Sequence, residues 1–403
     1  MAMSKKLSFN EEQGCLDDAV LAAVNRNTAD ASGLPNQAYV SSAFAERERN
    51  GLLARTWVCV GAAGSLRSKG DARPISLLGL PLFMIRNGEG VGVFHNVCSH
   101  RGHQLVGGAC RFKGSIRCPY HSWTYALDGR LRGTPHIGGP GVHEIEGFDR
   151  ELHDLKAVRA AQWMGLVFVN ISADAPDLES HLEPLISRWR RFLHPGDAER
   201  LRLTSEEDCF SLDIDANWKL AVENFCESYH LPWIHPGLNR YSRLEDHYHI
   251  MEEGLFAGQG TRVYDPVYRA GAEFPTFAGW PEKKQRVAEY VALFPNVMLG
   301  LHADHFFAVV LIPETHNRTR EEMHIFYLDD AAESDSHAES RRTTREAWRA
   351  VFLEDVGVVE GMQRGRHSPA FTGGAFSPVM DPPTHCFHKW VANNMNNRSE
   401  GAA

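Results

Sequence analysis

Residues 98–121 read CSHRGHQLVGGACRFKGSIRCPYH, and this stretch decides the fold of the first half of the chain. It contains Cys98-x-His100, then 17 residues, then Cys118-x2-His121. Two cysteines and two histidines suit an iron–sulfur cluster in which two thiolates hold one iron and two neutral imidazoles hold the other. A zinc site with these four donors usually keeps the cysteines together and the histidines together. The alternating order therefore favours an iron–sulfur cluster over zinc.

The length of the chain suits about two domains. It has 403 residues and a net charge of −9. Binding to nucleic acid or to an anionic membrane needs clustered positive charge, so we expect neither. The longest apolar runs, such as Leu77–Ile85 and Phe306–Ile312, are too short to span a bilayer. The first residues show no signal segment, which predicts a cytoplasmic protein.

The spacing of the cysteines and the number of histidines are both informative. The eight cysteines are mostly far apart, so they do not form a disulfide framework. Histidine is unusually frequent, at 21 residues, which suggests metal or proton chemistry.

Composition and the pattern of apolar residues divide the chain into four parts and predict an α+β fold. Residues 1–35 are polar and Ala-rich, which predicts a flexible N-terminal tail. Residues 36–56 predict an amphipathic helix that packs on the last domain. Within 57–171, short apolar runs alternate with turn residues, which is typical of an all-β domain. Residues 178–395 predict a domain with an antiparallel sheet and long helices.

The last domain has its own expected elements. Its predicted helices are Leu182–Phe192, Trp218–Tyr229 and Ser336–Met362. Its predicted strands are Leu201–Ile214, Val287–Phe294, Val297–Leu301, Phe306–Ile312 and Met323–Leu328.

Residues 217–236 read NWKLAVENFCESYHLPWIHP and hold a second candidate metal site, with Glu227, His230 and His235. Two imidazoles and one carboxylate are the ligand set of non-haem Fe(II) with open positions for O₂. The two histidines would point about 140° apart on a regular helix, but Pro232 should break the helix and let His235 swing back. By itself the pattern is weak, and without further context a helix with a surface glutamate and two ordinary histidines explains it better.

Together, the two motifs resemble the large (alpha) subunit of the Rieske non-haem iron oxygenases, the ring-hydroxylating family. The first motif is similar to the Rieske [2Fe–2S] centre. Rieske proteins of cytochrome complexes carry one more cysteine in each loop, where this chain has His103 and Tyr120. The resemblance is therefore to the oxygenase type, and it covers about residues 40–395. It implies an all-β Rieske domain followed by a catalytic domain that binds mononuclear Fe(II).

The resemblance implies a role for each residue of the second motif. His230 and His235 match the two iron-binding histidines of the family. Glu227 matches a carboxylate, often Asp in the family, that passes electrons from a Rieske histidine to an iron-bound histidine. Asn224 resembles a family asparagine near the iron.

The third iron ligand is implied to be a carboxylate later in the chain. The candidates are Asp304, Glu354, Asp355 and Glu360. The family places an Asp on a late helix, in a context like FLEDVGVVEGMQ at 352–363. The resemblance therefore favours Asp355, with Glu354 as the alternative.

The resemblance also implies partners. In the family the two metal sites of one subunit are far apart, and each Rieske domain docks beside the iron of its neighbour in a head-to-tail homotrimer. Either His100 or, preferentially, His121 would then hydrogen-bond Glu227 of the neighbouring subunit, and electrons would pass from the cluster through His121 to that Glu227 and His230. The chain has no G-x-G-x-x-G after a strand and no flavin or plant-type ferredoxin motif. A separate NAD(P)H-dependent reductase or ferredoxin is therefore expected to supply the electrons.

The expected substrate is a small molecule that meets aromatic side chains. Aromatic residues near the second site can stack on a ring or surround a quaternary ammonium group. The candidates are Trp218, Phe225, Tyr229, Trp233, Phe294, Phe306 and Phe307. The string ENFCESYH resembles the branch that acts on choline, glycine betaine, carnitine and stachydrine. It predicts hydroxylation or N-demethylation of a quaternary ammonium compound.

Three other functions are left open by the sequence. One is an aromatic-acid monooxygenase, dioxygenase or O-demethylase, which would use the same two metal sites. The others are a Rieske electron-transfer protein without oxygenase activity and a redox sensor. Iron content separates the oxygenase from the electron carrier, because a cluster plus a mononuclear site holds about three irons per chain and a cluster alone about two.

Overall fold

The computed structural model describes residues 9–10, 15–88, 90–265, 271–284 and 286–396. These residues form an all-β unit and a larger unit in which helices cover an antiparallel sheet, so the predicted α+β class is confirmed. No helix within the described ranges is long and apolar enough to cross a bilayer.

The all-β unit contains a seven-stranded and a three-stranded antiparallel sheet, both within 57–171. In sheet order, the seven strands are Val58–Ala62, Leu166–Asn170, Ala157–Trp163, Val91–His95, Leu80–Arg86, Asp71–Leu77 and Cys110–Arg111. The three strands are Leu131–Gly133, Thr124–Ala126 and Ser115–Arg117. Alternation along the short strands turns Ile116, Tyr125 and Leu131 inward. The small sheet thereby holds one of the two cysteine–histidine loops against a buried apolar core.

The larger unit is built on an eight-stranded antiparallel sheet, whose strands all lie within 178–395. In sheet order they are Leu201–Leu203, Arg318–Leu328, Phe306–Thr315, Val297–Leu301, Ala288–Leu293, Phe256–Thr261 and His247–Glu252, and Phe210–Ile214 also pairs with Arg318–Leu328. The central strands are buried on both faces, which explains why they read as continuous apolar runs in the sequence.

Five α-helices belong to this unit in the described part of the chain. They are Leu178–Trp189, Asp197–Arg200, Trp218–Cys226, Leu231–Ile234 and Ala338–Gly365, and a further helix, Pro382–Asn396, closes the described chain. The sequence predicts the long helix correctly to within a few residues, but it gives no signal for Pro382–Asn396.

The strand Phe256–Thr261 and its neighbour His247–Glu252 were not predicted. Phe256–Thr261 contains two glycines, which weaken a strand signal. The structure requires both. A Cβ on Gly258 would lie 2.1 Å from the carbonyl oxygen of Tyr290, and one on Gly260 would lie 2.4 Å from the ring of Tyr248. Close packing between neighbouring strands, rather than strand propensity, selects these glycines.

The N-terminal segment differs from the predicted flexible tail. Residues 1–8 and 11–14 of that tail lie outside the described residues. Residues 15–35 are packed against the larger unit: Val20, Val24 and Leu34 are buried in its core. Within it, the helix Asp18–Val24 contacts the helix Pro382–Asn396.

The predicted helix over 36–56 forms as three short pieces, Gln37–Val40, Ser42–Arg47 and a π-helical turn at Glu48–Leu53. The break occurs because the Ser41 side chain accepts the amide hydrogen of Phe44 at 3.2 Å and so starts a new helix. The segment packs against the helices Pro382–Asn396 and Trp218–Cys226.

A buried ion pair joins this N-terminal segment to the helix that leads into the second motif. Lys219 Nζ lies 2.6 Å from Glu48 Oε1, and both side chains are fully buried. The rings of Tyr39, Phe44 and Trp218 surround the ammonium group at 5.1–5.4 Å. Burial raises the pKa of Glu48 and lowers that of Lys219, so each group needs the other to remain charged.

We expect Glu48→Gln to lower the free energy of unfolding by about 3–5 kcal/mol, because it leaves the buried Lys219 ammonium without its counter-charge. The matched control is Glu46→Gln in the same segment. That side chain is 68% exposed and pairs with Arg49 at the surface, so the change should stay within about 0.5 kcal/mol. Urea unfolding of the two variants measures the difference, and equal midpoints would contradict this account.

Candidate metal centres

The two cysteine–histidine loops have the same backbone pattern. In each, the amide of the cysteine donates to the carbonyl five residues later at 2.8 Å, and the cysteine carbonyl accepts from the amide four residues later at 3.0 Å. That fourth residue has a positive φ in both loops, +73° at Gly102 and +59° at Ser122. A serine in this region is uncommon. The loops around Cys98 and Cys118 are thus built alike, and each presents its cysteine and histidine to one shared space.

The four side chains of the first motif come together as the sequence predicts. Cys98 and Cys118 are buried and are not joined in a disulfide. The rings of His100 and His121 lie 4.7 Å apart. Burial, together with repulsion by His121 and Arg101, lowers the pKa of His100, which favours the neutral imidazole that a metal requires.

The surroundings of these donors fit a [2Fe–2S] cluster. His121 Nδ1 is buried and has no hydrogen-bond partner among the described residues, as expected for an atom that binds metal. Tyr125 Oη lies 3.1 Å from Cys98 Sγ and also contacts Ser99. Hydrogen bonds to cluster sulfurs are one of the means by which proteins set a cluster's reduction potential. The donor set and this hydroxyl therefore suit a cluster that stores one electron.

The second motif is arranged differently from the prediction that Pro232 breaks the helix. The helix Trp218–Cys226 ends one residue before Glu227, which has an extended backbone. A separate short helix, Leu231–Ile234, begins after His230, and Pro232 lies in its first turn, where proline is well tolerated. His235 follows this helix. The two histidines face each other because they flank a one-turn helix, and their ring centroids are 5.1 Å apart.

Three side chains of the second site converge on one point. Asp355 Oδ1 lies 3.0 Å from His235 Nε2 and 3.8 Å from His230 Nε2. One donor atom from each of the three residues lies within 4.8 Å of the others. Asp355 reaches this point from the helix Ala338–Gly365. The geometry matches two imidazoles and one carboxylate around a single metal ion with open positions.

Two glutamates orient the histidine rings. Glu227 Oε1 lies 2.6 Å from His230 Nδ1, and Glu354 Oε2 lies 2.7 Å from His235 Nδ1. Because each Nδ1–H donates to a carboxylate, the Nε2 lone pairs point to the shared site. Glu354, the alternative third ligand in the sequence analysis, therefore lies behind His235 and does not face the convergence point.

The remaining candidates for the third ligand lie elsewhere. Asp304 Oδ1 lies 2.7 Å from His305 Nδ1. Glu360 accepts the backbone N–H of Asp215 at 3.2 Å. Among the four candidate carboxylates, the structure thus brings Asp355 to the histidines.

Two observations test whether the second site fits a metal cation. Asp355 Oδ1 is buried without a hydrogen-bond partner among the described residues. Burial opposes a charge on His235, but the carboxylates of Asp355 and Glu354 outweigh it and raise the pKa of its imidazole. The site therefore attracts a positive charge, which a metal ion supplies by replacing that proton. His230, His235 and Asp355 fit mononuclear Fe(II).

A cavity opens beside the three residues and is largely aromatic. Its aromatic walls are Phe225, Tyr290, Phe307, Trp348 and Phe352, and its polar walls include Asn224, Ser228, Ser242, His247 and Gln259. Asn224, which the sequence places near the iron, is thus part of the cavity.

Only two of the predicted aromatic candidates, Phe225 and Phe307, line this cavity. Trp218, Phe294 and Phe306 are buried in the core, and Tyr229 and Trp233 are exposed at the surface.

Sequence reasoning missed Trp348 as a cavity residue, although one signal was present. Trp348 precedes Asp355 by seven residues, or two helical turns, so both lie on one face of the helix. Tyr290, His247 and Gln259 come from strands far away in sequence, and no local pattern identifies them.

Comparisons with known proteins agree with this geometry. A family model for the Rieske [2Fe-2S] domain matches residues 56–147, and one for the ring hydroxylating alpha subunit (catalytic domain) matches residues 201–397. The chain belongs to the Rieske non-haem iron oxygenases. The two cofactors of this family, a [2Fe–2S] cluster and mononuclear iron, are the ones that the sequence predicts.

Relatives of this Rieske oxygenase are similar over most of their length. The carnitine monooxygenase oxygenase subunit of Acinetobacter baumannii is 28% identical over 352 residues, covering 84% of this chain and 86% of the relative. The glycine betaine monooxygenase oxygenase subunit of Chromohalobacter salexigens is 25% identical, covering 96% and 93%. A solved structure described as a quaternary ammonium Rieske monooxygenase has the same fold, with a TM-score of 0.76 at 23% identity, covering 94% and 99%.

Both of these relatives are named as the oxygenase subunit of a monooxygenase. The predicted enzyme class is thereby confirmed.

We expect Asp355→Ala to lower the iron content from about three atoms per chain to about two, because the mononuclear site loses its only anionic ligand. Glu354→Gln should keep the third iron but bind it about 10–100-fold more weakly, because it changes only the orientation of His235. Metal analysis and the cluster's absorbance report the two sites separately. Glu360→Gln, on the same helix, serves as the control. Loss of iron in Glu354→Gln with retention in Asp355→Ala would reverse the ligand assignment.

Proposed function

We propose that this Rieske oxygenase hydroxylates or oxidatively N-demethylates a small quaternary ammonium compound, using O₂ and electrons from a separate reductase. The observation that carries this proposal is the aromatic cavity beside His230, His235 and Asp355. Aromatic faces attract quaternary ammonium groups through their π-electrons. The names of relatives that act on carnitine and glycine betaine support the same substrate class.

The described lining residues also offer no basic partner to an anionic substrate group. Among the lining residues that the structure describes, Asp355 is a carboxylate and none is Lys or Arg. Burial, with a further contribution from the negative charge of Asp355, raises the pKa of nearby Glu321 to about 8. The protein thus already limits negative charge at this place. An aromatic ring could stack on the same walls, so an aromatic acid remains the alternative to be tested.

The proposed iron site uses His230, His235 and Asp355 as ligands. Iron bound there supplies the activation of O₂. The chain's own residues shape the space in which this occurs, because the aromatic walls offer apolar faces to a substrate beside the ligands.

A polar network of the cavity fixes the position of Glu227. Burial lowers the pKa of His247, which favours its neutral form. His247 Nδ1 lies 2.6 Å from Gln259 Oε1, and Gln259 Nε2 donates to the carbonyl of Glu227 at 2.8 Å. The carboxylate of Glu227 in turn accepts the amide hydrogen of Tyr229 and contacts His230 Nδ1. We propose that this fixed carboxylate passes electrons towards the iron.

Two exposed apolar surfaces on the chain suggest how the electrons arrive. One lies beside the cluster loops and includes Tyr120, which is 53% exposed and packs on His121. The other lies beside Glu227 and includes Tyr229 and Trp233, which are 46% and 69% exposed. Exposed apolar patches mark interaction sites. A head-to-tail homotrimer covers both by placing His121 of one subunit near Glu227 of the next. The cytoplasmic location stays a prediction.

A substrate panel tests the proposed activity. With a surrogate reductase and NADH, we expect O₂ uptake to depend on a quaternary ammonium compound such as choline, glycine betaine or carnitine, and N-demethylation to release formaldehyde. The controls are substituted benzoic acids at the same concentrations. Turnover of benzoic acids alone would assign the alternative function. Reduction of the cluster without uptake stimulated by any substrate would indicate an electron carrier.

We expect Glu227→Ala to lower reductase-driven substrate oxidation by about 100-fold while all three irons stay bound, because the variant removes the carboxylate between the two centres. Oxidation driven by hydrogen peroxide, which supplies oxygen and electrons together, should be retained. Glu227→Asp should restore most of the reductase-driven activity. Wild-type activity in Glu227→Ala would exclude this electron path, and equal loss with peroxide would indicate damage to the iron site instead.

A further inference from the structure

A buried chain of hydrogen bonds ends on the wall of the iron cavity. Trp348 Nε1 donates to His305 Nε2 at 3.1 Å, and His305 Nδ1 lies 2.7 Å from Asp304 Oδ1. Trp348 lines the cavity, whereas the other two residues do not. Asp304 and His305 belong to the turn between two central strands of the large sheet. The chain thus runs from a carboxylate outside the cavity to an indole ring on its wall.

The direction of these hydrogen bonds fixes the state of His305. An indole N–H can only donate, so His305 Nε2 accepts and carries no proton. The proton of the neutral imidazole is therefore on Nδ1 and is donated to Asp304. This arrangement links a carboxylate, an oriented imidazole and an indole in a fixed order.

Ring packing leaves Trp348 and His305 little freedom to turn. The His302 ring stacks on His305 with centroids 4.3 Å apart and planes 4° from parallel. Tyr264 lies parallel to Trp348 at 6.1 Å, and the Phe307 ring is 4.6 Å away. Trp348 is 4% exposed and His305 is 5% exposed. Both rings are thus held by their neighbours as well as by the hydrogen bonds.

The hydrogen bonds also change the electron density on the face of the indole ring. A carboxylate that polarises an imidazole makes the imidazole a stronger acceptor, and hydrogen bonds in series strengthen one another in a buried setting. A stronger acceptor at the indole N–H increases the electron density on the ring face. A more negative face attracts a cation more strongly.

We propose that His305, oriented by Asp304, is a positioning residue that fixes and polarises the Trp348 ring as the surface on which the cationic headgroup rests. The inference rests on the proposed function, because it assigns the place where a quaternary ammonium group binds. The other explanation is that His305 only satisfies a buried indole N–H, which would stabilise the protein without favouring a cation.

Two probes of the same shape separate these explanations. Choline carries the positive charge, and 3,3-dimethyl-1-butanol replaces its nitrogen by carbon. Calorimetric titration of each probe into the anaerobic, reduced holoenzyme gives the ratio of the two dissociation constants. We expect the wild-type enzyme to prefer choline and His305→Leu to reduce that preference by about fivefold, which is part of a desolvated cation–π contact because the indole ring stays while its polarisation and orientation are lost.

Three further variants show whether His305 acts through Trp348. His305→Gln should retain the wild-type preference within about twofold, because its amide oxygen can accept the indole hydrogen. Asp304→Asn should reduce the preference, because it removes the charge but keeps the shape. In a Trp348→Phe background, His305→Leu should cause no further change, since the ring that His305 acts on has no N–H.

The outcomes separate the two proposals. If His305→Leu weakens both probes equally, or changes their ratio as strongly in the Trp348→Phe background, the role of His305 is wrong while the proposed function stands. If the wild-type enzyme shows no preference for choline and no O₂ uptake with any quaternary ammonium compound, the proposed function itself fails. Should His305→Leu not fold, as judged from circular dichroism and iron content, Asp304→Asn decides the question alone: an unchanged ratio in that variant would overturn the inference.

Discussion

The contacts of His230 Nδ1 and His235 Nδ1 with Glu227 and Glu354 are the constraint on which the active site depends. Each fixes which nitrogen of a ring carries the proton and which faces Asp355. Without them the imidazole rings would be oriented less firmly, and the three donor atoms would bind a metal ion more weakly. The two glutamates differ in one respect that matters for function. Glu354 is on the same helix as Asp355, so its contact ties His235 to the helix that carries Asp355, whereas Glu227 follows the helix Trp218–Cys226 and precedes the exposed Tyr229 and Trp233 in sequence.

Other parts of the fold hold the helix Trp218–Cys226, which leads into the iron site, in a fixed position. The helix Trp218–Cys226 leads directly to Glu227, and its buried Lys219 and Glu223 are held by groups from distant parts of the chain. Glu223 contacts Tyr39, Arg366 and His388, which come from the N-terminal segment, the end of the long helix and the C-terminal helix. Buried charges of this kind tolerate few alternative arrangements, because each one needs its partners in place. The N-terminal segment is therefore part of the support of the iron site, although it lies far from it in sequence.

The sequence predicts the parts of the structure that depend on local spacing. The Cys98 and Cys118 motifs, the strand Val297–Leu301 and the long helix are all local signals, and the structure has them where the sequence places them. Features that depend on contacts between distant segments are less predictable. Gly258 is selected by a neighbouring strand, and the tail folds because a C-terminal helix without its own signal covers it. The predicted third ligand is the intermediate case: the resemblance favours Asp355 over Glu354, and the fold brings Asp355 Oδ1 to 3.0 Å from His235 Nε2 while Glu354 contacts the other ring nitrogen.

The carboxylates around the cavity each act on the metal site or on the cavity wall. Asp355 faces the metal site, Glu227 and Glu354 orient its histidines, and Asp304 acts on the cavity wall through His305. A fifth, Glu321, has a pKa raised to about 8 by burial and by Asp355, which shows that the region cannot accommodate another negative charge at low cost. Such a site accommodates a positive charge more easily than a further negative charge. Iron supplies part of it beside Asp355, and a cationic headgroup on the aromatic wall would supply more without requiring a basic side chain. On this wall a cationic headgroup meets aromatic faces, whereas an anionic group finds no Lys or Arg among the described lining residues.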